Sequence, residues 1–185
     1  MQVHIGCSGW FYWHWKKIFY PENIPTHHWF KHYTSVFKTV ELNAPFYRWP
    51  KPATVKAWRR NAPADFRYSV KVNQIITHEK RLVRTKKFVR EFCSIADVLG
   101  DQMGCFLFQF PPSYKFTPAR LKSIVAQIGQ QKCGPKQRAV CSYHSVVEFR
   151  HKSWWRRSVY RAFTKVGIIF CSISSPRLPR PAAFS

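Results

Sequence analysis

Acidic side chains are scarce: 8 Asp and Glu stand against 31 Lys and Arg in 185 residues, a formal charge of +23. That leaves few carboxylates for metal ligation, and no H-E-x-x-H or H-x-x-E-H spacing occurs around the eight histidines. The six cysteines, at positions 7, 93, 105, 133, 141 and 171, include no C-x-x-C pair, which argues against a zinc or redox motif. Cys7, Cys105 and Cys171 sit in apolar runs, where reduced thiols pack as small hydrophobes, so a reducing, cytoplasmic chain is expected. The opening lacks a charged segment followed by an apolar one, and no apolar run approaches the roughly 18 to 20 residues that span a bilayer. Gly6 and Gly9 do not make a G-x-G-x-x-G fingerprint, so a dinucleotide reading fails at its motif and the cofactor stays unassigned.

Apolar residues, by contrast, are plentiful. Hydrophobic side chains make up 45 % and aromatics 17 %, enough to offset the entropy of ordering the chain and to exclude global disorder. The length suits one domain, or most of one α/β barrel. Short β-branched or aromatic runs alternate with amphipathic segments throughout, the rhythm of consecutive βα units. Strands are predicted at Val3 to Ser8, Thr39 to Asn43, Arg67 to Asn73, Gly104 to Phe110, Ser145 to Arg150 and Ile168 to Ile173. Five helices are predicted between them, at Thr26 to Phe37, Pro52 to Asn61, Thr85 to Leu99, Pro118 to Gln130 and Ser153 to Val166. Thr26, Thr85, Thr117 and Ser153 stand where N-caps belong, and Gly100 and Gly167 follow helices as terminating residues do. The domain is read as residues 1 to 175, with Pro176 to Ser185 as a disordered tail.

Side chains alternate between the two faces of a strand, so each run divides into two sets. One set is apolar: Val40 and Leu42; Tyr68, Val70 and Val72; Phe106, Phe108 and Phe110; Val147 and Phe149. The other is small or polar: Gly6 and Ser8; Glu41 and Asn43; Ser69, Lys71 and Asn73; Cys105, Leu107 and Gln109; Val146, Glu148 and Arg150. A doubly wound sheet is apolar on both faces. A barrel with polar groups near its mouth fits this pattern better.

Several segments, in order, resemble the YecE-like family, domain of unknown function 72. They are Ile5-Gly-Cys-Ser-Gly-Trp10, Val40-Glu-Leu-Asn43 with Phe46-Tyr-Arg48, Phe66-Arg-Tyr-Ser-Val-Lys71 with Ile76-Thr-His78 and Arg81-Leu82, Phe108-Gln-Phe-Pro-Pro-Ser113, and Val147-Glu-Phe-Arg-His151 with Ser153-Trp154. The resemblance extends to Pro176-Arg-Leu-Pro179. It implies a TIM-like (β/α) barrel in bacterial or archaeal cytoplasm, with no established activity. Such barrels usually need about 250 residues. The expectation is therefore an incomplete barrel of about six parallel strands and five helices, its last two βα units missing, with open edges that invite oligomerisation or chaperone dependence. An inactive truncated product is one reading of this chain.

The inward set supplies the candidate chemistry. Glu41 or Glu148 is expected as general acid or base, with Lys71 and Arg150 holding an anion and Asn43 and Gln109 orienting substrate, as in hydrolase- or lyase-like steps. Trp10, Tyr47 and His78 lie at predicted loops where a substrate could stack or bond. The alternative is a structural ion-pair network, in which losing one partner costs about 3 to 5 kcal/mol; the resemblance tips the balance towards function. His14, His78, His144 and His151 carry no ligand spacing, and no metal site is assigned. His27 and His28 are expected at the surface.

Charge implies a partner class. Cations cluster on predicted helices, at Lys56, Arg59 and Arg60, from Lys80 to Arg90, and from Arg156 to Lys165. The expected partner is a small anionic or polar substrate, with nucleic acid reached through non-specific, salt-sensitive phosphate contacts and no membrane. A non-catalytic nucleic-acid- or ribosome-associated protein is the competing reading.

Overall fold

Among the described residues, six short strands line up side by side in chain order: β1 (Gly6–Cys7), β2 (Thr39–Leu42), β3 (Arg67–Lys71), β4 (Met103–Phe110), β5 (His144–Phe149) and β6 (Ile168–Phe170). The computed structural model describes residues 3–129, 143–174 and Leu178. Every neighbouring pair is parallel. A doubly wound sheet reverses its strand order at a switch point, whereas adding each strand beside the last produces the progressive order of a (β/α) barrel. The described residues thus form an open sheet with the strand order of a (β/α) barrel, and among them β1 and β6 are its edges.

The helices are α1 (Trp29–Val36), α2 (Ala44–Tyr47), α3 (Pro52–Asn61), α4 (Lys86–Cys93), α5 (Ile95–Leu99), α6 (Pro118–Ile128) and α7 (Arg157–Lys165). The apolar strand set packs beneath them. Val40, Leu42, Tyr68, Val70, Phe106, Phe108, Phe110, Val147 and Phe149 join one core with Tyr33 of α1, Val55 of α3, Phe92 of α4, Ile124 of α6 and Phe163 of α7. Each such side chain contributes about 1.5 to 3 kcal/mol by leaving water, which fixes strand parity because a one-residue slip would turn the whole set outward.

Four stacked rings fasten the ends of β4 and β5. Phe149 lies 4.0 Å from Trp154, Trp154 lies 5.5 Å from Tyr114, and Phe110 stacks on both Tyr114 and Phe149. Trp154 Nε1 donates to the Tyr114 carbonyl at 2.7 Å. The Pro111-Pro112 pair therefore stiffens a turn whose exit is pinned by aromatic packing.

Several local expectations need correction. The predicted helix at 85–99 is two helices, broken at Ser94, and α2 was not foreseen, so among the described residues five helical regions become seven α-helices. The strands at both edges are shorter than predicted, because an edge strand has a partner on one side only. Of the expected caps, Thr117 accepts from Arg120 N at 3.2 Å, but Thr85 donates instead to Gln127 Oε1 at 2.7 Å. Thr26 begins a 3-10 turn after extended Pro25, and the turn at Ser153 is capped by the His151 ring. Gly100 and Gly167 have φ of 56° and 68°, as helix-terminating glycines do. Gln130, Cys133, Cys141 and, apart from Leu178, the tail 176–185 lie outside the described residues. Among the described residues, no helix is long and apolar enough to cross a membrane.

Candidate active site on the concave face

Strand register decides which polar residues meet. Glu41 pairs with Ser69, Ser69 with Cys105, Lys71 with Leu107, and Gln109 with Glu148. Parity turns Glu41, Lys71, Gln109 and Glu148 away from the helices, onto one concave face. The observed sheet brings these four together as the alternation predicts.

Three linked groups form on this face. At the β1 edge, Ser8 Oγ donates to Glu41 Oε1 at 2.7 Å and accepts from Asn43 Nδ2 at 2.6 Å, so one hydroxyl bridges the carboxylate and the amide. At β4 and β5, Gln109 Nε2 donates to Glu148 Oε1 at 3.0 Å, and Arg150 Nε is ion-paired to the same oxygen. The Glu148 side chain is 7 % exposed while that of Arg150 is 45 % exposed, so the pair runs from the buried floor to the solvent rim. Between these groups stands Lys71, its Nζ 4.6 Å from the centre of the Phe46 ring.

Lys71 couples the two sides electrostatically. Burial holds its ammonium below the ordinary lysine range, Glu41 and Glu148 both pull it back up, and Arg150 pushes it down. His78 is next in line: its ring lies edge-on to Phe46 at 4.9 Å, and Nδ1 is 2.9 Å from Thr77 Oγ1. Burial depresses the imidazole below its usual value, and the charges of Lys71 and Arg81 depress it further.

The remaining predicted residues divide. Tyr47 is 71 % exposed at the rim, edge-to-face with Phe46 at 4.9 Å. Trp10 packs its ring on Phe30 at 4.7 Å, and its carbonyl accepts from the Tyr20 hydroxyl, so it is engaged by the helical layer. Asn73, on the polar parity, is buried and holds backbone: Nδ2 donates to the Pro45 carbonyl at 2.8 Å and Oδ1 accepts from Ile75 N at 3.0 Å. It thereby ties α2 to the π-helical turn Ile75–Glu79 that presents His78.

Two participants were not on the predicted list of site residues. Ser8 shares the parity of Gly6, and that alternation was the available signal. Phe46 reads as one aromatic among many, and only the folded chain lays its ring against Lys71 and His78. Among the described residues, no three His, Cys, Asp or Glu side chains converge as metal ligands.

Comparisons place this chain in a family. The model of the "Protein of unknown function DUF72" matches residues 4–183. UPF0759 protein YecE of Escherichia coli strain K12 is 28 % identical over 122 residues, covering 66 % of this chain and 42 % of the relative. UPF0759 protein YunF of Bacillus subtilis strain 168 is 26 % identical over 167 residues, covering 85 % of this chain and 54 % of the relative. The chain thus spans about half the length of the curated relatives it matches. A crystal structure of a DUF72 family protein from Thermotoga maritima superposes with a TM-score of 0.76 at 30 % identity, over 97 % of this chain and 68 % of that one. An Enterococcus faecalis DUF72 protein, 18 % identical with a TM-score of 0.61 over 80 % of this chain and 61 % of that one, shares the fold. With residues 4–183 matched by the family's model, the chain belongs to the DUF72 family.

Proposed function

We propose that the concave face is the site of an acid/base enzyme acting on a small polar, anionic substrate. The supporting observation is the meeting of Glu41, Lys71, Gln109 and Glu148, drawn from four different strands, on one face beside the exposed rim. The two carboxylates differ in what holds them. Glu148 Oε1 is taken by both Gln109 and Arg150, which suits a positioning role that aims the guanidinium at the rim. Glu41 is half-buried and accepts from the Ser8 hydroxyl, which suits transfer of a proton to or from substrate. Lys71 and Arg150 would hold the substrate's negative charge, while Asn43 and Gln109 would orient it.

The test is a mass balance. The chain is incubated with a mixture of anionic metabolites, and consumption is followed by mass spectrometry beside the Glu41→Gln variant. A full-length DUF72 relative carrying the matching substitution is run in parallel. Consumption by the wild type that Glu41→Gln abolishes at an unchanged melting temperature supports the reading. Consumption that Glu41→Gln leaves intact, or a large stability loss with activity retained, assigns these residues to structure.

A further inference from the structure

A groove outside the concave face is lined by Lys80, Arg81, Arg84 and Arg120, with Tyr114 at its floor and Glu79 as the acid among the described lining residues. Its volume is about 600 Å³. The groove runs between the segment after β3 and the start of α6, and contains none of the four residues that define the concave face.

Both central guanidinia are anchored by neutral acceptors. Arg81 Nε donates to the His78 carbonyl and Nη2 to Ser113 Oγ, each at 3.2 Å. Arg120 Nη1 donates to the Lys115 carbonyl at 2.6 Å, and the guanidinium lies 4.7 Å over the Tyr114 ring. Among the described residues, no carboxylate oxygen lies within 4.0 Å of either. The two side chains are therefore fixed in direction while their charge stays uncompensated. A preset fork of this kind loses little entropy on meeting a planar or tetrahedral oxyanion.

The backbone is bent to make this arrangement. Arg81, Leu82 and Arg84 have φ of 48°, 58° and 53°, a left-handed conformation that costs non-glycine residues energy and persists only when surroundings enforce it. Enforcement is visible here. Leu82 is 1 % exposed, its N–H donates to the Ile76 carbonyl at 3.0 Å, and its own carbonyl accepts from Ser123 Oγ at 2.8 Å and from Gln127 Nε2. Tyr114 adds a bond from its hydroxyl to the Arg81 carbonyl at 3.4 Å. Leu82 is thus plugged into the core between two arginines that the bend leaves facing the groove.

We propose that this groove is a binding site for the phosphate group of a small phosphorylated ligand, with Arg81 and Arg120 as the fork and Lys80 and Arg84 at its rim. It is independent of the chemistry proposed for the concave face. Inorganic phosphate is the probe, titrated into the full chain by calorimetry at constant ionic strength. Saturable binding is expected, weakened about tenfold by Arg120→Ala, which removes a charge-assisted bond. Arg84→Glu, at an exposed position that buries no side chain, should weaken it at least as much with the far-ultraviolet circular dichroism unchanged. Arg59→Ala on α3 serves as the charge-matched control and should leave the affinity as it was. Non-saturating heat, or equal weakening by Arg59→Ala, would show only the general attraction of a cationic surface and overturn the site. So would binding of a single-stranded oligonucleotide with none of inorganic phosphate, since that outcome assigns the cations to a polymer backbone.

Discussion

Gln109 and Glu148 sit opposite one another across β4 and β5, and the amide Nε2 meets carboxylate Oε1 at 3.0 Å. This bond lies on the polar side of a pair of strands whose other side is filled by Phe108, Phe110, Val147 and Phe149. The same oxygen also receives Arg150. A buried acceptor is thereby satisfied by one neutral and one charged donor, and the charged donor reaches solvent.

Replacing Glu148 by Gln tests that arrangement. The substitution keeps the shape but removes the charge, so Arg150 loses its partner. Because Arg150 is half exposed and can be solvated, the expected loss is about 1 to 3 kcal/mol, below that for a wholly buried pair. Chemical denaturation measures it. A double substitution with Arg150→Met should cost less than the sum of the two single changes, since each single change removes the same contact.

A second prediction concerns Lys71 and His78. The imidazole is held below its ordinary range by burial first, then by the charges of Lys71 and Arg81. Lys71→Met should raise the His78 midpoint, read from its ring proton shifts in an NMR titration. The stability consequence follows from proton counts. Because the folded value is the lower one, the unfolded chain binds more protons as pH falls through 6.5, so stability present above that value is lost on acidification. Lys71→Met should reduce that acid-side loss, and an unchanged His78 midpoint would mean the two groups do not sense each other.

Which parts of this could be read from the sequence follows from the physics of each element. Alternation at Val40-Glu-Leu and Phe106-Leu-Phe-Gln-Phe is enforced by burial of one face, so strand positions and the side taken by Glu41, Lys71, Gln109 and Glu148 were legible. Segments ruled by long-range contacts were not. Asn73 bonds to the Pro45 carbonyl 28 residues away, and that bond anchors α2 and the π-helical turn. Left-handed Arg81, Leu82 and Arg84 carry no glycine or asparagine to announce the bend, because buried Leu82 and donors from α6 impose it. Trp10 looked like a loop aromatic free to meet substrate, yet its neighbour Phe30 arrives from α1. Ser8 was visible by parity, but its bond to Glu41 depends on a register that only the paired strands define.

The close approach of β1 to β2 makes a third prediction. A Cβ added to Gly6 would lie 2.1 Å from the Thr39 carbonyl oxygen, a backbone atom that cannot move without breaking the pairing. Gly6→Ala should therefore displace the β1 edge, with a stability loss of about 1 to 3 kcal/mol as for other overpacked sites. Since β1 carries the chain into Ser8, the bond from Ser8 to Glu41 should be lost with it. Hydrogen exchange provides the local readout: the Cys7 amide should lose protection while amides of β4 keep theirs.

A side chain also holds that Cys7 amide, which gives the last prediction. Tyr33, fully buried under β1 and β2, accepts from Cys7 N at 2.8 Å and donates its hydroxyl proton to the Thr39 carbonyl at 2.9 Å. Tyr33→Phe leaves the ring packing in place and removes one partner from each of the two backbone groups, at an expected cost of about 1 to 3 kcal/mol. Burial pushes the phenol up to about 12, with the Cys7 N–H opposing that rise. A folded value above the ordinary 10.0 means the native state keeps its proton longer, so the associated stability is intact below pH 10 and is lost as pH rises through about 12. Tyr114 and Tyr143, each raised to about 12 by burial, act in the same direction, so the wild type should lose stability steeply across that window. Tyr33→Phe begins less stable at neutral pH but should show a shallower alkaline decline in denaturant midpoint. Parallel curves for the two proteins would mean that the phenol titrates in the folded state as it does in the unfolded one, and coincident curves that its bridge between the first two strands contributes nothing.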